Sequence, residues 1–338
     1  MAFPPTLQRR LIRYDELRPC RNAFIDARSP GSDEKENFTI VGPGVAENPA
    51  QFVHIREPHG FNIGAARQPP GCTNSLHSHH SEEVFIVHRG TWRFVWGEHG
   101  DAGAVVLLPG DTISIPIHVF RGFENVGEDI GFMFAVLGGD DPGRVHWAPH
   151  VIVKARGYGL VLLENGSLVD TALGEVVPTN ATIVHPSTPS EIAYIRTPSE
   201  AEMTRNVVRR TDLMATPNTA SASPCVREFA IIEGPRDAAE SISPSIKRAH
   251  GFTLSLLSLE ADATTTLHTC DTAEVLLMHR GRLTWHNDLG EHVELNPGDT
   301  FSVPPNMARR ITALTAAEVY AVRASADQDT PSRSNQAA

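Results

Sequence analysis

Residues 71–90 read Gly71-Cys-Thr-Asn-Ser-Leu-His77-Ser-His79-His-Ser-Glu-Glu83-Val-Phe-Ile-Val-His-Arg-Gly90. The end of this stretch is rich in β-branched and aromatic residues and stops at a glycine, the pattern of a strand entering a turn. Side chains alternate faces along an extended chain, so the odd-numbered His77, His79 and Glu83 point to one side. His80 and Glu82 have the opposite parity and are expected to face away, at the surface. Two imidazoles and a carboxylate converging on one face make a donor set suited to a divalent transition metal. On the residues alone, surface histidines on a hairpin explain the pattern equally well.

The same landmarks recur further along. Phe38, His59-Gly60-Phe61, His77, Glu83-Val84 and His88-Arg89-Gly90 reappear as Phe229, His250-Gly251-Phe252, His268, Glu274-Val275 and His279-Arg280-Gly281, each at an offset of 191. Pro109-Gly110-Asp111-Thr112 then matches Pro297-Gly298-Asp299-Thr300 at an offset of 188, which places a three-residue length difference in the Gly97–Gly103 hairpin. A shared frame this long indicates duplication of a whole domain, since a solenoid period is far shorter.

Within each copy, short runs such as EEVFIVHRG, TWRFVWG, TISIPI and DIGFMFAVL alternate with PG, GD and GG turn signals. The fold class is therefore all-β, a sandwich or small barrel in each copy. The expected organisation is an N-terminal arm (1–37), barrel 1 (38–139), a connector (140–225), barrel 2 (226–325) and a disordered tail (326–338). Pro149, the apolar Val151, Ile152 and Ala155, and Gly157 predict one short helix in the connector. The rest of the connector reads as extended segments over a surface. Trp92, Phe94 and Trp96 alternate on one strand face and are assigned to core. His88 and His279, each two residues before a hairpin glycine, are assigned a structural hydrogen bond.

The chain has 338 residues, 41% apolar and 20% charged, with a formal net charge of −11. These are globular proportions, and the negative sign disfavours a nucleic-acid partner. No apolar run is long enough to span a bilayer, and no secretory leader is evident. Four cysteines without CxxC spacing fit a reducing, cytoplasmic setting.

The spacing Gly71-x5-His77-x-His79-x3-Glu83-x6-Gly90 resembles, position for position, the first cupin motif. Gly110-x5-Pro116-x-His118-x2-Arg121-x3-Asn125 is similar to the second, with His118 where that motif has Gly and Arg121 where it has a ligand His. The resemblance spans most of both copies and implies a bicupin: two double-stranded β-helix (jelly-roll) barrels. It implies His77, His79 and Glu83 as metal ligands and one divalent transition metal per chain, with Fe(II) favoured over Mn, Ni or Zn. Arg121 cannot coordinate, because guanidinium stays protonated. Three arrangements stay open: a three-ligand site with extra positions for substrate and dioxygen, substitution by His118 or His80, or no metal. Arg121 is read as orienting an anionic substrate group, or as paired with Glu83 or Glu124.

In the second copy the corresponding residues are His268, Cys270, Glu274 and Arg309, read as a degenerate site that has lost metal. The implied activity is a metal-dependent dioxygenase acting on a small anionic or aromatic molecule. A metal-dependent isomerase or lyase and a non-catalytic small-molecule-binding barrel are the alternatives. Open sheet edges suggest a homodimer or higher homo-oligomer.

Overall fold

The computed structural model describes residues 5–215, 225–232 and 245–325. The expected tail, 326–338, lies outside the described residues. Residues 36–138, with short strands at 146–147 and 207–208, build two facing layers, antiparallel except where Glu36–Val41 runs parallel to Val53–Ile55. One has the strand order Val207–Val208, Thr112–Ile115, Glu83–Arg89, Gly131–Gly138, Phe61–Gln68, Glu36–Val41, Val53–Ile55. The other runs His146–Trp147, Thr73–Ser78, Arg121–Asn125, Trp92–Trp96, Gly103–Leu107. The second copy repeats the plan with a six-stranded layer, Leu11–Ile12, Thr300–Val303, Glu274–Arg280, Ala317–Ala324, Phe252–Leu259 and Val226–Ile232. Its facing layer has three strands, His292–Leu295, Leu283–Asn287 and Arg309–Ala313. The fold is all-β, two jelly-roll barrels.

Strand Glu83–Arg89 shows why its sequence is nearly continuous in apolar residues. Phe85 and Val87 pack inside barrel 1 with Trp92, Phe94 and Trp96. Val84 and Ile86 belong to a second core, shared with Leu254, Val275 and Val322 of the other barrel. Both faces are dry, so a polar residue fits only where the interior needs one. The hairpin glycines are required sterically: Gly90 has φ +90, and a Cβ there would sit 2.7 Å from Gly131 Cα. Gly281, its counterpart, has φ +73, and a Cβ would lie 2.1 Å from Ala316 O.

The barrels exchange segments. Leu11–Ile12, ahead of the first copy, pairs with Phe301 and Thr300 of the second barrel. Val207–Val208, ahead of the second copy, pairs with Ile113 and Thr112 of the first. The residues that follow anchor each arm: Arg13 Nη1 lies 2.6 Å from Asp299 Oδ2, and Arg209 Nη1 lies 2.7 Å from Asp111 Oδ2. The repeated histidines of the HGF triplets cross the same boundary. His59 Nδ1 donates to Glu57 O, so its Nε2 accepts from Ser302 Oγ at 2.8 Å. His250 Nδ1 likewise donates to Arg248 O, and its Nε2 accepts from Ser114 Oγ at 2.6 Å.

Three sequence expectations change. The connector contains the helix Pro149–Gly157, with Val151, Ile152 and Ala155 buried, but also short helices at Glu200–Thr204 and Arg210–Ala215 and a two-stranded hairpin, Leu160–Leu162 with Leu168–Asp170. These pieces are too short for a periodic signal. Glu82 is not a surface residue: its Oε1 lies 2.8 Å from Arg248 Nε and ties the copies together. His88 and His279 meet edge to face across the inter-barrel core, with ring centroids 5.5 Å apart. Both nitrogens of His279 and Nδ1 of His88 lack a hydrogen-bond partner among the described residues. The expected structural hydrogen bond of His279 is therefore replaced by ring packing.

Candidate metal centre

His77 lies on the strand Thr73–Ser78, opposite Arg121 on one side and Trp147 on the other. The chain leaves that layer after Ser78 and re-enters the facing layer at Glu83, the first residue of its strand. The turn between them carries His79 inward and leaves His80 exposed. Candidate ligand atoms of His77, His79 and Glu83 all lie within 4.8 Å of one another, and the three residues are buried. His77 and Glu83 stand on facing layers, so the crossing from layer to layer brings the three together.

His77 Nδ1 faces the Ser75 carbonyl at 2.7 Å and donates to it, so Nε2 keeps its lone pair. Burial holds both imidazoles well below the ordinary histidine range, and the neighbouring Arg121 charge acts in the same direction. Both rings are neutral at pH 7. Burial pushes the Glu83 carboxyl up, and Arg121 opposes that rise.

Arg121 is 1% exposed. Its Nη1 donates to His77 O at 2.6 Å, and its Nη2 donates to Glu83 Oε2. Of the two fates open to Arg121 in the sequence, the structure realises the ion pair with an acidic neighbour. Arg121 is not among the residues lining the interior cavity.

That cavity, about 70 Å³, meets His77, His79 and Glu83 and is otherwise walled mostly by apolar groups, among them Phe24, Phe85, Phe123, Leu137 and Trp147. Phe24 belongs to the N-terminal arm, which a buried ion pair fastens over the barrel. Lys35 Nζ pairs with Asp26 Oδ1 and donates to Asn74 Oδ1 at 2.8 Å, while Asp26 Oδ2 accepts from Ser75 N at 3.0 Å. Trp147 packs 5.2 Å from His77 between ring centroids. Its Nε1 donates to Glu47 Oε1 at 2.6 Å, and burial pushes the Glu47 carboxyl up to about 8. Asp26, Lys35, Asn74, Glu47 and Trp147 went unread in the sequence. The charges of Asp26, Lys35 and Glu47 in loop-like segments were the only signal, and Asn74 and Trp147 carried none.

These residues fit a divalent transition metal. Two neutral imidazoles, one with its donor nitrogen fixed by a backbone carbonyl, and one carboxylate form a recognised donor set. A carboxylate has two oxygens, and Arg121 engages Oε2 of Glu83. Neither His118 nor His80 enters the inner cluster. His118 hydrogen-bonds to the outer His80, with Nε2 3.0 Å from its Nδ1.

The second barrel is built differently. Glu274 is held at both oxygens: Arg309 Nε is 2.9 Å from Oε2, and Arg323 Nε is 2.6 Å from Oε1. Burial alone would raise this carboxyl, and Arg323 with Arg309 outweighs it, leaving it below the ordinary range. His268 is half-buried and pairs through its backbone with Arg309; Cys270 Sγ contacts Thr272 Oγ1 at 3.4 Å. His268, Cys270 and Glu274 do not form a metal-sized cluster among the described residues.

Residues 65–137 match the family model of the cupin domain. No curated protein sequence matches the chain. Among solved structures, the chain is similar to an oxalate decarboxylase from Lactobacillus farciminis in complex with formate: TM-score 0.52, 10% identity, covering 92% of this chain and 84% of that one. It is also similar to a vicilin from Solanum lycopersicum (tomato): TM-score 0.53, 11% identity, covering 95% of this chain and 86% of that one. At such identities the likeness concerns the fold, and a decarboxylase and a vicilin sharing it show that the fold does not select an activity. Residues 65–137 therefore carry a cupin domain, and the chain as a whole, with its repeated jelly roll, shares the fold of these structures.

Proposed function

We propose that barrel 1 is a metal-dependent enzyme centre, of dioxygenase type, acting on a small molecule with an aromatic portion and an oxygen donor. The observation that carries this reading is the buried convergence of His77, His79 and Glu83 at one end of an apolar cavity. An Fe(II) ion in this donor set supplies open coordination positions for a substrate oxygen and for dioxygen; Mn, Ni and Zn suit the same donors. His77 and His79 bind as neutral donors, and Ser75 O fixes the tautomer of the first. Glu83 supplies the anionic oxygen. Arg121 acts on it as a positioning residue, since it touches Glu83 and not the cavity. Phe85, Phe123 and Trp147 give the cavity apolar walls that keep water out.

A second reading, a non-catalytic barrel that binds a small molecule without metal, is favoured by one observation: Arg121 already neutralises Glu83. The free cysteines suit a reducing compartment such as the cytoplasm; among the described residues no helix is long and apolar enough to cross a membrane. Exposed sheet edges suit a homo-oligomer.

The test is anaerobic reconstitution with Fe(II), followed by oxygen-uptake measurements against small aromatic and carboxylate compounds. Uptake that disappears in His77→Ala supports the oxygenase. Substrate conversion without oxygen uptake assigns the centre to an isomerase or lyase, and failure of the reconstituted protein to retain metal overturns the metal reading.

A further inference from the structure

Outside barrel 1, on the reverse of the turn that carries His79 inward, lies a second group of imidazoles. His80 is exposed, and its Nδ1 is 3.0 Å from Nε2 of His118. The Tyr194 ring stands edge-on to His118 at 4.8 Å, and its hydroxyl is 2.9 Å from His146 Nδ1. His146 also lies 3.2 Å from Ser187 Oγ. Three histidines and a tyrosine thus arrive from four separate segments of the chain.

The backbone of His118 sets where its ring goes. Its φ is +59, in the left-handed region, which costs a residue other than glycine on the order of 1 kcal/mol. That conformation aims its ring at His80, while its amide is held by His79 O at 3.2 Å. Asn306, the equivalent residue of barrel 2, has the same φ of +59, so the turn belongs to the repeat and barrel 1 differs in placing an imidazole on it, with a nitrogen spaced from His80 as two ligands of one ion are. Two nitrogens each about 2.0–2.1 Å from one ion lie about 3.0 Å apart when they subtend a right angle and about 3.4 Å apart at the tetrahedral angle.

We propose that His80 Nδ1 and His118 Nε2 form a second, outer site for a divalent ion that prefers imidazole, namely Zn²⁺, Cu²⁺ or Ni²⁺. Water completes the shell, and Tyr194 with His146 walls one side. The outer site shares the His79–His80 backbone with the inner centre and uses none of its side chains.

The experiment is a Zn²⁺ titration by equilibrium dialysis of untagged, chelator-stripped full-length protein, comparing wild type with His118→Gly, His80→Ala and His77→Ala. His118→Gly is expected to fold, because glycine adopts φ +59 without strain, and to unfold at or above the wild-type temperature. The proposal expects wild type to saturate with one more Zn²⁺ per chain than either His118→Gly or His80→Ala, and His77→Ala to keep the outer ion. Equal saturation of wild type and His118→Gly would overturn it. Because the outer site is read as a difference, that result is independent of whether the inner centre binds: loss in His77→Ala reports on the inner site alone.

Discussion

Arg121 donates to Glu83 where both side chains are almost wholly withdrawn from water, at the place where the second cupin motif would put another ligand. In barrel 2 the matching Arg309 and Glu274 form a buried ion pair, with Nε 2.9 Å from Oε2. Each guanidinium neutralises the carboxylate that the barrel buries. The copies differ in what else reaches the carboxylate: Arg323 takes the other oxygen of Glu274, whereas Glu83 faces two inward histidines.

Replacing Arg121 therefore trades one cation for another. Removing a partner from a buried pair costs about 3–5 kcal/mol, so Arg121→His is expected to lower the melting temperature of metal-free protein. A third imidazole, as a fourth ligand, and the loss of a competing charge should tighten metal binding on the order of tenfold, and added metal should restore stability. Thermal melts with and without Fe(II) check this; unchanged metal affinity would contradict the placement of Arg121 beside the ligands.

In barrel 2, His268→Ala and Cys270→Ser should leave metal content unchanged and stability within about 0.5 kcal/mol, since neither side chain is deeply buried. Glu274→Ala strands two arginines and should cost about 3–5 kcal/mol. Elemental analysis and denaturant melts separate the two outcomes.

Acid should loosen the inter-barrel core. Burial lowers His88 and His250 to about 4 and His279 to about 3, against an ordinary value of 6.5. Below pH 6.5 the unfolded chain takes up protons that the folded chain refuses, so stability falls as the pH drops from about 6.5 towards 4. One such shift is worth roughly 3 kcal/mol when fully expressed. His279→Leu removes a buried ring whose nitrogens have no hydrogen-bond partner among the described residues. It should match or exceed wild-type stability at pH 7 and flatten the acid limb. A wild-type pH profile retained in this variant would show that the group titrates elsewhere.

The repeat, the β class and the inward parity of His77, His79 and Glu83 were legible because each rests on a regular spacing: a fixed offset, turn punctuation, a period of two. The stripe of Trp92, Phe94 and Trp96 was legible for the same reason, and all three are fully buried. What spacing does not encode is partnership across the fold. Glu82 has surface parity, yet the second barrel stands on that side. Leu11–Ile12 and Val207–Val208 read as linker because each completes a sheet of the other copy. Arg121 had two plausible anions, and only the crossing of the layers decided between them.

The arm is the least regular segment and the most consequential for the cavity. Lys35→Met leaves Asp26 buried without its cation, so the variant should lose about 3–5 kcal/mol. Amide exchange over residues 20–35 should quicken first. Exchange there at the wild-type rate would mean that the arm is held by other contacts.

The most direct test of the metal centre is elemental analysis of untagged protein carrying His118→Gly, which silences the outer site, with and without His77→Ala. The account predicts close to one transition-metal ion per chain in the first protein and close to none in the second. Equal metal in both, or none in either after reconstitution, would contradict it and leave barrel 1 as a cavity closed by an ion pair.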